Sequence, residues 1–282
     1  MSDILIFKFG ALGDVIMATP LVKAIIKSTS GSSCTLVTTD PFVSIFKNWD
    51  NLQIKVLDNK SFVNNFKFAR SIRKKSYARL FDLQGNDRSR MISFLSGIPE
   101  KIGNHRFPNN CYPKQRWKGQ IHIFERMCEV LETAGVLVEE KYPYLPASGK
   151  QVQRIEKWMA QQELERKTFA LLHAGSSRLR QEKRWPYFGD LAEKLTEQGI
   201  LPVWVGGKEE IELNRKLSLR SGLDTTGMFD IVELAELGRH AAFAVTNDSG
   251  PMHILSASNI PVFGLFGPSS KNRNHAIGQK ER

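Results

Sequence analysis

The stretch ILIFKFGALGDVIMATPLVKAIIKS (residues 4–28) decides the fold. Its opening, Ile4–Phe9, is a mostly apolar run of strand length, the pattern of a strand buried on both faces of a parallel sheet. Two glycines three apart, Gly10 and Gly13, then let the backbone turn tightly. From Val15 to Ser28 the apolar residues Val15, Ile16, Ala18, Leu21, Val22, Ile25 and Ile26 follow helical spacing, with Pro20 expected within the first turns. Strand, glycine turn and helix in that order form the first half of a βαβ unit.

The same alternation continues outward. Strands are expected at Cys34–Thr39, Ile54–Leu57 and Leu80–Leu83, and a helix at 122–135 ending on Gly135. KYPYLPASGK (141–150) has two prolines and a Ser-Gly pair, the composition of a linker. Beyond it a helix at 152–162 opens a second series, with strands at Phe169–His173, Leu201–Val205, Phe243–Thr246 and Val262–Phe266. Helices at about 187–198, 209–219 and 230–240 separate them. The expectation is an α/β chain of two Rossmann-like domains, 1–150 and 151–282. Ligands would sit beyond the carboxyl ends of the strands, in the crevice between the halves.

The 282 residues carry 40 Lys and Arg against 29 Asp and Glu, a net charge of +11. Between Lys60 and Arg126 fifteen bases meet four acids, so the whole excess lies in that stretch. A polyanionic partner is implied: nucleic acid, anionic lipid or a phosphorylated substrate. The aromatics there (Phe62, Phe66, Phe68, Tyr77) fall at spacings of core-facing helix positions and no nucleic-acid motif accompanies them, so nucleic acid is set aside. No apolar run reaches membrane-spanning length, and no secretory signal pattern opens the chain. Cys34, Cys111 and Cys128 form no CxxC pair, which argues against a disulfide scaffold or a cysteine zinc site and for a reducing cytoplasm.

Four segments place polar chemistry just after a strand. In KFGALGD (8–14), Asp14 falls at a helix N-terminus, as a functional carboxylate or equally as a plain N-cap. FDLQGN (81–86) runs into Arg88 and Arg90, a cleft-facing strand end or an ordinary glycine turn. HAGSS (173–177), followed by Lys183-Arg184-Trp185-Pro186, offers hydroxyls, amides and a cation to a phosphate, with Pro186 near the start of the next helix. TNDSGPMH (246–253) places the Ser249 and Gly250 amides at a helix start, with His253 one turn in. No metal-ligand spacing and no G-x-S-x-G elbow occurs. Together these residues suggest group transfer from a nucleotide-type donor, with Asp14 as general base.

The strings FGALGDVIMATP (9–20), FDLQGNDRSRMISFLSG (81–97), LLHAGSSRLRQEKRWP (171–186), TNDSGPMHILSA (246–257) and VFGLFGPSS (262–270), in this order, resemble the heptosyltransferases of bacterial lipopolysaccharide synthesis, glycosyltransferase family 9. The resemblance implies a GT-B fold, two Rossmann-like domains facing a central cleft, and inverting, metal-independent transfer of heptose from ADP-heptose to the lipopolysaccharide inner core. It implies no cofactor beyond that donor. Asp14 would be the base. Ser176, Ser177 and Lys183 would hold the diphosphate, Glu209 or Glu210 the ribose, and Met228 the adenine. Asp248, Ser249, Gly250 and His253 would contact sugar and diphosphate. On the acceptor side stand Gly13, Gln84, Arg88, Arg73 and Lys74. Two departures follow. Ser-Ser replaces Thr-Thr at 176–177, and the end, NRNHAIGQKER, reads as a polar, shortened C-terminus. The alternatives are a related transferase using another nucleotide sugar, or an inactive, truncated relative that only binds. The basic stretch would draw the enzyme peripherally to anionic lipid at the inner leaflet from the cytoplasm.

Overall fold

The computed structural model describes residues 3–57, 61–104, 110–111 and 121–279. The chain divides into two compact units, Met1–Lys141 and Tyr142–Arg282. Contacts on either side set that division. Glu139 and Glu140 pair with Lys27 and Lys23 of the first unit at 2.6 and 2.7 Å. Immediately beyond, the Tyr142 ring lies against Gly278, and the Leu145 carbonyl accepts from Arg239 at 2.9 Å. The division thus falls at the start of the segment expected as a linker, ahead of the 150/151 boundary read from the sequence.

The first unit runs β1 (Asp3–Phe7), α1 (Leu12–Ser28), β2 (Cys34–Thr38), α2 (Val43–Phe46), β3 (Leu52–Val56), α3 (Phe62–Arg73), β4 (Tyr77–Asp82), α4 (Asp87–Ser96), β5 (Glu100–Ile102), β6 (Asn110–Cys111) and α5 (Ile123–Glu132). Its strands are all parallel, in the order β3-β2-β1-β4-β5-β6. The order reverses at β1, so the carboxyl ends of β1 and β4 flank the switch point where such sheets bind ligands. Leu5, Phe7, Val37 and Leu80 pack with Ala69 and Ile72 of α3 and Ile92 of α4 into one buried core.

Pro20 lies in the middle of α1, not in its first turns, because the helix begins at Leu12. A proline there removes the N–H that would reach the Ile16 carbonyl. The Thr19 hydroxyl supplies a replacement, donating to that carbonyl at 2.8 Å. The spacing of Phe62, Phe66, Phe68 and Tyr77 predicts helix without setting the bounds of α3 (Phe62–Arg73), and no pattern marks α4. Asn86 caps α4 in a reciprocal box with Ser89, and Gly97 ends it in the left-handed region at φ 70°. Of the aromatics expected to face the core, Tyr77 is buried but on a strand, Phe68 is partly buried, and Phe66 is exposed. Phe62's side chain, and the basic residues Lys60, Arg106, Lys114, Arg116 and Lys118, lie outside the described residues.

The second unit runs α6 (Gly149–Gln161), β7 (Phe169–His173), α7 (Phe188–Glu197), β8 (Leu201–Trp204), α8 (Ile211–Ser218), β9 (Leu223–Asp224), α9 (Ile231–His240), β10 (Phe243–Asn247), α10 (Gly250–Ser256), β11 (Val262–Leu265) and α11 (Lys271–Asn274). The strands are parallel, ordered β11-β10-β7-β8-β9, so β7 and β10 flank the switch point. Capping boxes start α6 (Ser148 with Gln151) and α9 (Asp230 with Glu233), and Arg154 bridges the two helices through Glu233. Helix α7 begins at Phe188, leaving Trp185-Pro186 in the preceding turn. The polar C-terminal string is not uniformly exposed. Ala276, Ile277 and Gln279 are buried, and the Gln279 amide bonds the backbone of Ile260 and Val262. No helix among the described residues is long and apolar enough to cross a membrane.

Candidate functional site

In the first unit a cavity of about 170 Å³ opens at the carboxyl ends of β1 and β4, with Lys8, Asp14, Gln84, Asn104 and Arg126 in its lining. Asp14 is the third residue of α1, whose N-cap is Ala11 without a side-chain cap bond, so the plain N-cap alternative does not hold. Its half-buried carboxylate faces the cavity from the positive end of the helix dipole.

Around it the two switch-point loops are tied together. Asp82 is consumed by the turn, one carboxylate oxygen accepting from the Gln84 and Gly85 amides at 3.0 Å each. Gln84 Oε1 accepts from the Phe9 amide at 2.9 Å, which pins the glycine loop before α1. Gly85 sits at φ 65°, in the left-handed region that favours glycine, with the Asn104 side chain packed 3.0 Å from where a Cβ would lie.

The motif KFGALGD by itself assigns Lys8 no role. It is buried, donates to the Leu83 carbonyl at 3.1 Å, and lines the cavity with Asp14. Burial pushes its ammonium below the ordinary lysine range, while the charges of Asp14 and Asp82 oppose that shift.

The acceptor-side residues separate into two places. Gln84 lines the cavity with Asp14, and Gly13 precedes Asp14 in α1. Arg88 is turned toward Asn65, donating at 2.8 Å, and stacks its guanidinium 5.6 Å from the Phe9 ring centre, at the back of the same loop. Arg73 and Lys74 do not join them. They end α3 just before β4 begins, at the opposite end of the parallel sheet from the cavity, and both are exposed.

In the second unit three loops converge at the carboxyl ends of β7 and β10. Ser176 is buried and accepts from Arg184 Nε at 3.3 Å, whereas Ser177 is exposed. Lys183 pairs with Asp248 at 2.7 Å, both side chains largely buried. The Ser249 hydroxyl shares a hydrogen bond with His173 Nδ1 at 3.1 Å, and His253 is buried in the first turn of α10. Burial, with the Arg184 charge nearby, pushes His173 down to about 4, so the ring is neutral at neutral pH.

Asn247 joins the loops and escaped the sequence reading as a functional residue. Fully buried, it accepts from the Trp185 amide at 3.0 Å and donates to the carbonyls of Ala174 and Gly175 at 2.9 and 3.1 Å. The Glu209/Glu210 alternative also acquires a geometry. Glu209 is exposed, while Glu210 folds back to accept from the Gly207 amide at 2.8 Å. Burial holds the Glu210 carboxyl above its usual range. Gly175 leaves room for it, since a Cβ there would lie 2.4 Å from Glu210 Cγ. Met228 is exposed, its carbonyl held by Arg154 at 2.9 Å.

The sequence model described as glycosyltransferase family 9 (heptosyltransferase) matches residues 65–282. Lipopolysaccharide heptosyltransferase 2 of Escherichia coli K12 is 24% identical over 247 residues, 77% of this chain and 67% of that protein. The alignment therefore takes in about two thirds of that relative's length. Among solved structures, a family 9 glycosyl transferase from Veillonella parvula superposes with a TM-score of 0.86 at 23% identity, covering 97% of this chain and 83% of that one. The E. coli heptosyltransferase WaaC, solved with ADP, gives 0.74 at 18%, covering 99% and 91%. Both share the arrangement of two parallel-sheet α/β domains, the GT-B fold. A match over residues 65–282, most of the chain, establishes that this protein belongs to glycosyltransferase family 9, the heptosyltransferases.

Proposed function

We propose that the chain transfers a heptose from ADP-heptose to the inner core of lipopolysaccharide with inversion at the anomeric carbon, Asp14 acting as general base. The observation that carries the reading is the placement of Asp14, a carboxylate at the switch point of the first sheet, open to a cavity large enough for a hydroxyl-bearing sugar edge. In the reaction Asp14 takes the proton of the acceptor hydroxyl as that oxygen bonds to the anomeric carbon. The bond from that carbon to the β-phosphate oxygen breaks on the opposite face, and ADP leaves with the electron pair.

On this reading the first unit takes the acceptor, with Gly13, Gln84 and Arg88 shaping the loop that presents Asp14. Arg73 and Lys74 serve the membrane-bound acceptor only through its anionic surroundings, given their place at the other end of the sheet. The second unit takes the donor. Ser176, Ser177 and Lys183 lie where a diphosphate would be held, with Asp248, Ser249, Gly250 and His253 beside it. Glu210 stands at the ribose and Met228 at the adenine. The cations Lys183 and Arg184 offset the diphosphate charge in place of a metal ion or other cofactor. An E. coli relative solved with ADP supports this assignment of the nucleotide. The enzyme would work from the cytoplasm, held peripherally at the inner leaflet.

The test is a transfer assay with ADP-heptose and truncated lipopolysaccharide acceptors, read by mass. Asp14→Ala is expected to lower turnover by about a hundred- to ten-thousand-fold while ADP affinity stays near that of the parent. Turnover at the parent rate removes Asp14 as the base. Running other nucleotide sugars in parallel decides the donor.

A further inference from the structure

We propose that the outer face of α3 and α4 is a docking surface for an anionic lipid bilayer, with Phe66 and Phe94 as its apolar anchors. Both side chains are exposed, at 51% and 65%, whereas Phe7, Phe9, Phe46, Phe81 and Phe124 of the same unit are buried. Two contacts fix how the helices lie. Asn65 of α3 accepts from Arg88 of α4 near the start of each helix, and the Arg73 side chain packs beside Gly97, 3.4 Å from where a Cβ there would lie, at their ends. The helices therefore run side by side in the same direction. In that register Phe66 lies level with the turn carrying Arg90, and Arg70 level with the turn carrying Phe94.

The exposed charges of this face are one-sided. Lys67, Arg70, Arg73, Lys74, Lys75 and Arg90 are exposed, against Asp87 as the one exposed acid from 62 to 97. Exposed aromatics among cations match the headgroup region of an anionic membrane, where rings enter the interface and Lys and Arg meet phosphate. One contact links these helices to the glycine loop. Arg88, bonded to Asn65 beside Phe66, stacks on Phe9 at the base of the loop that presents Asp14.

A nucleic acid would answer the same charge. The bilayer is favoured because the proposed acceptor is itself a membrane lipid, and for that choice the inference rests on the proposed function.

The experiment uses the full chain with vesicles of phosphatidylcholine, with and without phosphatidylglycerol, at low and physiological salt. Binding is expected only to the anionic vesicles and is expected to weaken with salt. The double variant F66S/F94S is expected to weaken it about tenfold or more at an unchanged melting temperature. Phe94→Trp is expected to shift its emission to the blue on binding. Wild-type vesicle affinity in F66S/F94S, absence of binding to anionic vesicles, or tighter phenylalanine-dependent binding to a single-stranded oligonucleotide would each overturn the proposal. Transfer to a lipid-free acceptor oligosaccharide reads the proposed activity separately. F66S/F94S should retain the parent rate there, and a parent chain that binds vesicles but transfers nothing would refute the activity alone.

Discussion

His173 shows what one buried residue adds to the site. It ends β7 with a neutral ring bonded to Ser249, and burial holds its pKa near 4 against an ordinary value near 6.5. Between those values the unfolded chain takes up a proton that the folded chain refuses, so this residue's contribution to stability rises with pH across the window. It is complete above about pH 6.5 and is lost as the pH falls toward 4, an effect of about 3 kcal/mol. Denaturant titrations of the parent and of His173→Asn across that range should show the parent's extra pH slope vanish in the variant. The slope from His240, also lowered by burial, remains in both chains and cancels. An unchanged slope in the variant would mean that His173 titrates normally. Asp14 was legible in the sequence because a carboxylate follows a glycine turn after a strand. Lys8 and His173 were passed over because each sits at the end of an apolar strand, where pattern reading sees sheet and not its polar tip.

At the scale of elements the question is what holds three loops of the second unit in one place. Asn247 ends β10, and its side chain bonds the loop after β7 twice and the loop before α7 once. Asn247→Asp keeps an acceptor for the Trp185 amide but strands two buried carbonyls. A stability loss of about 1–3 kcal/mol is expected, together with weaker ADP binding. Asn247→Leu, which also leaves the amide without an acceptor, should be worse in both respects. Melting curves and calorimetric ADP titration check the pair, and unaltered ADP affinity in both variants would show that the loops hold their shape without Asn247.

Such a link spans more than sixty residues of sequence and leaves no local trace. The elements it joins were readable. FALLH and FAVTN are short, fully apolar runs with a polar end, the pattern of strands buried on both faces, and both were found in register as parallel neighbours. The bounds of α3 and the whole of α4 hid because their exposed faces mix basic residues with phenylalanine, which blurs the apolar stripe. Strands β5, β6 and β9, at two or three residues, are too short for any periodicity to register.

For the molecule as a whole, the division at Lys141/Tyr142 leaves each unit with its own parallel sheet and its own core, Leu5, Phe7 and Leu80 in one, Leu172, Phe188 and Trp204 in the other. The charge divides the same way, the excess of bases lying entirely between residues 60 and 126. The residues proposed for the nucleotide, from Ser176 to His253, all belong to the second unit. Their supporting bonds do too: Lys183 to Asp248, Ser249 to His173, Asn247 to Trp185. If donor recognition is complete within that unit, residues 142–282 expressed alone should melt cooperatively and bind ADP within about tenfold of the full chain, a difference of ~1.4 kcal/mol or less. The fragment must begin at Tyr142, because that ring covers Gly278 and the Leu145 carbonyl holds Arg239. It should show no transfer, since Asp14 is absent from it. A fragment that folds, by circular dichroism and thermal melting, yet binds ADP far more weakly would mean that the first unit supplies part of the nucleotide's contacts, and the donor site would then have to be redrawn to include it.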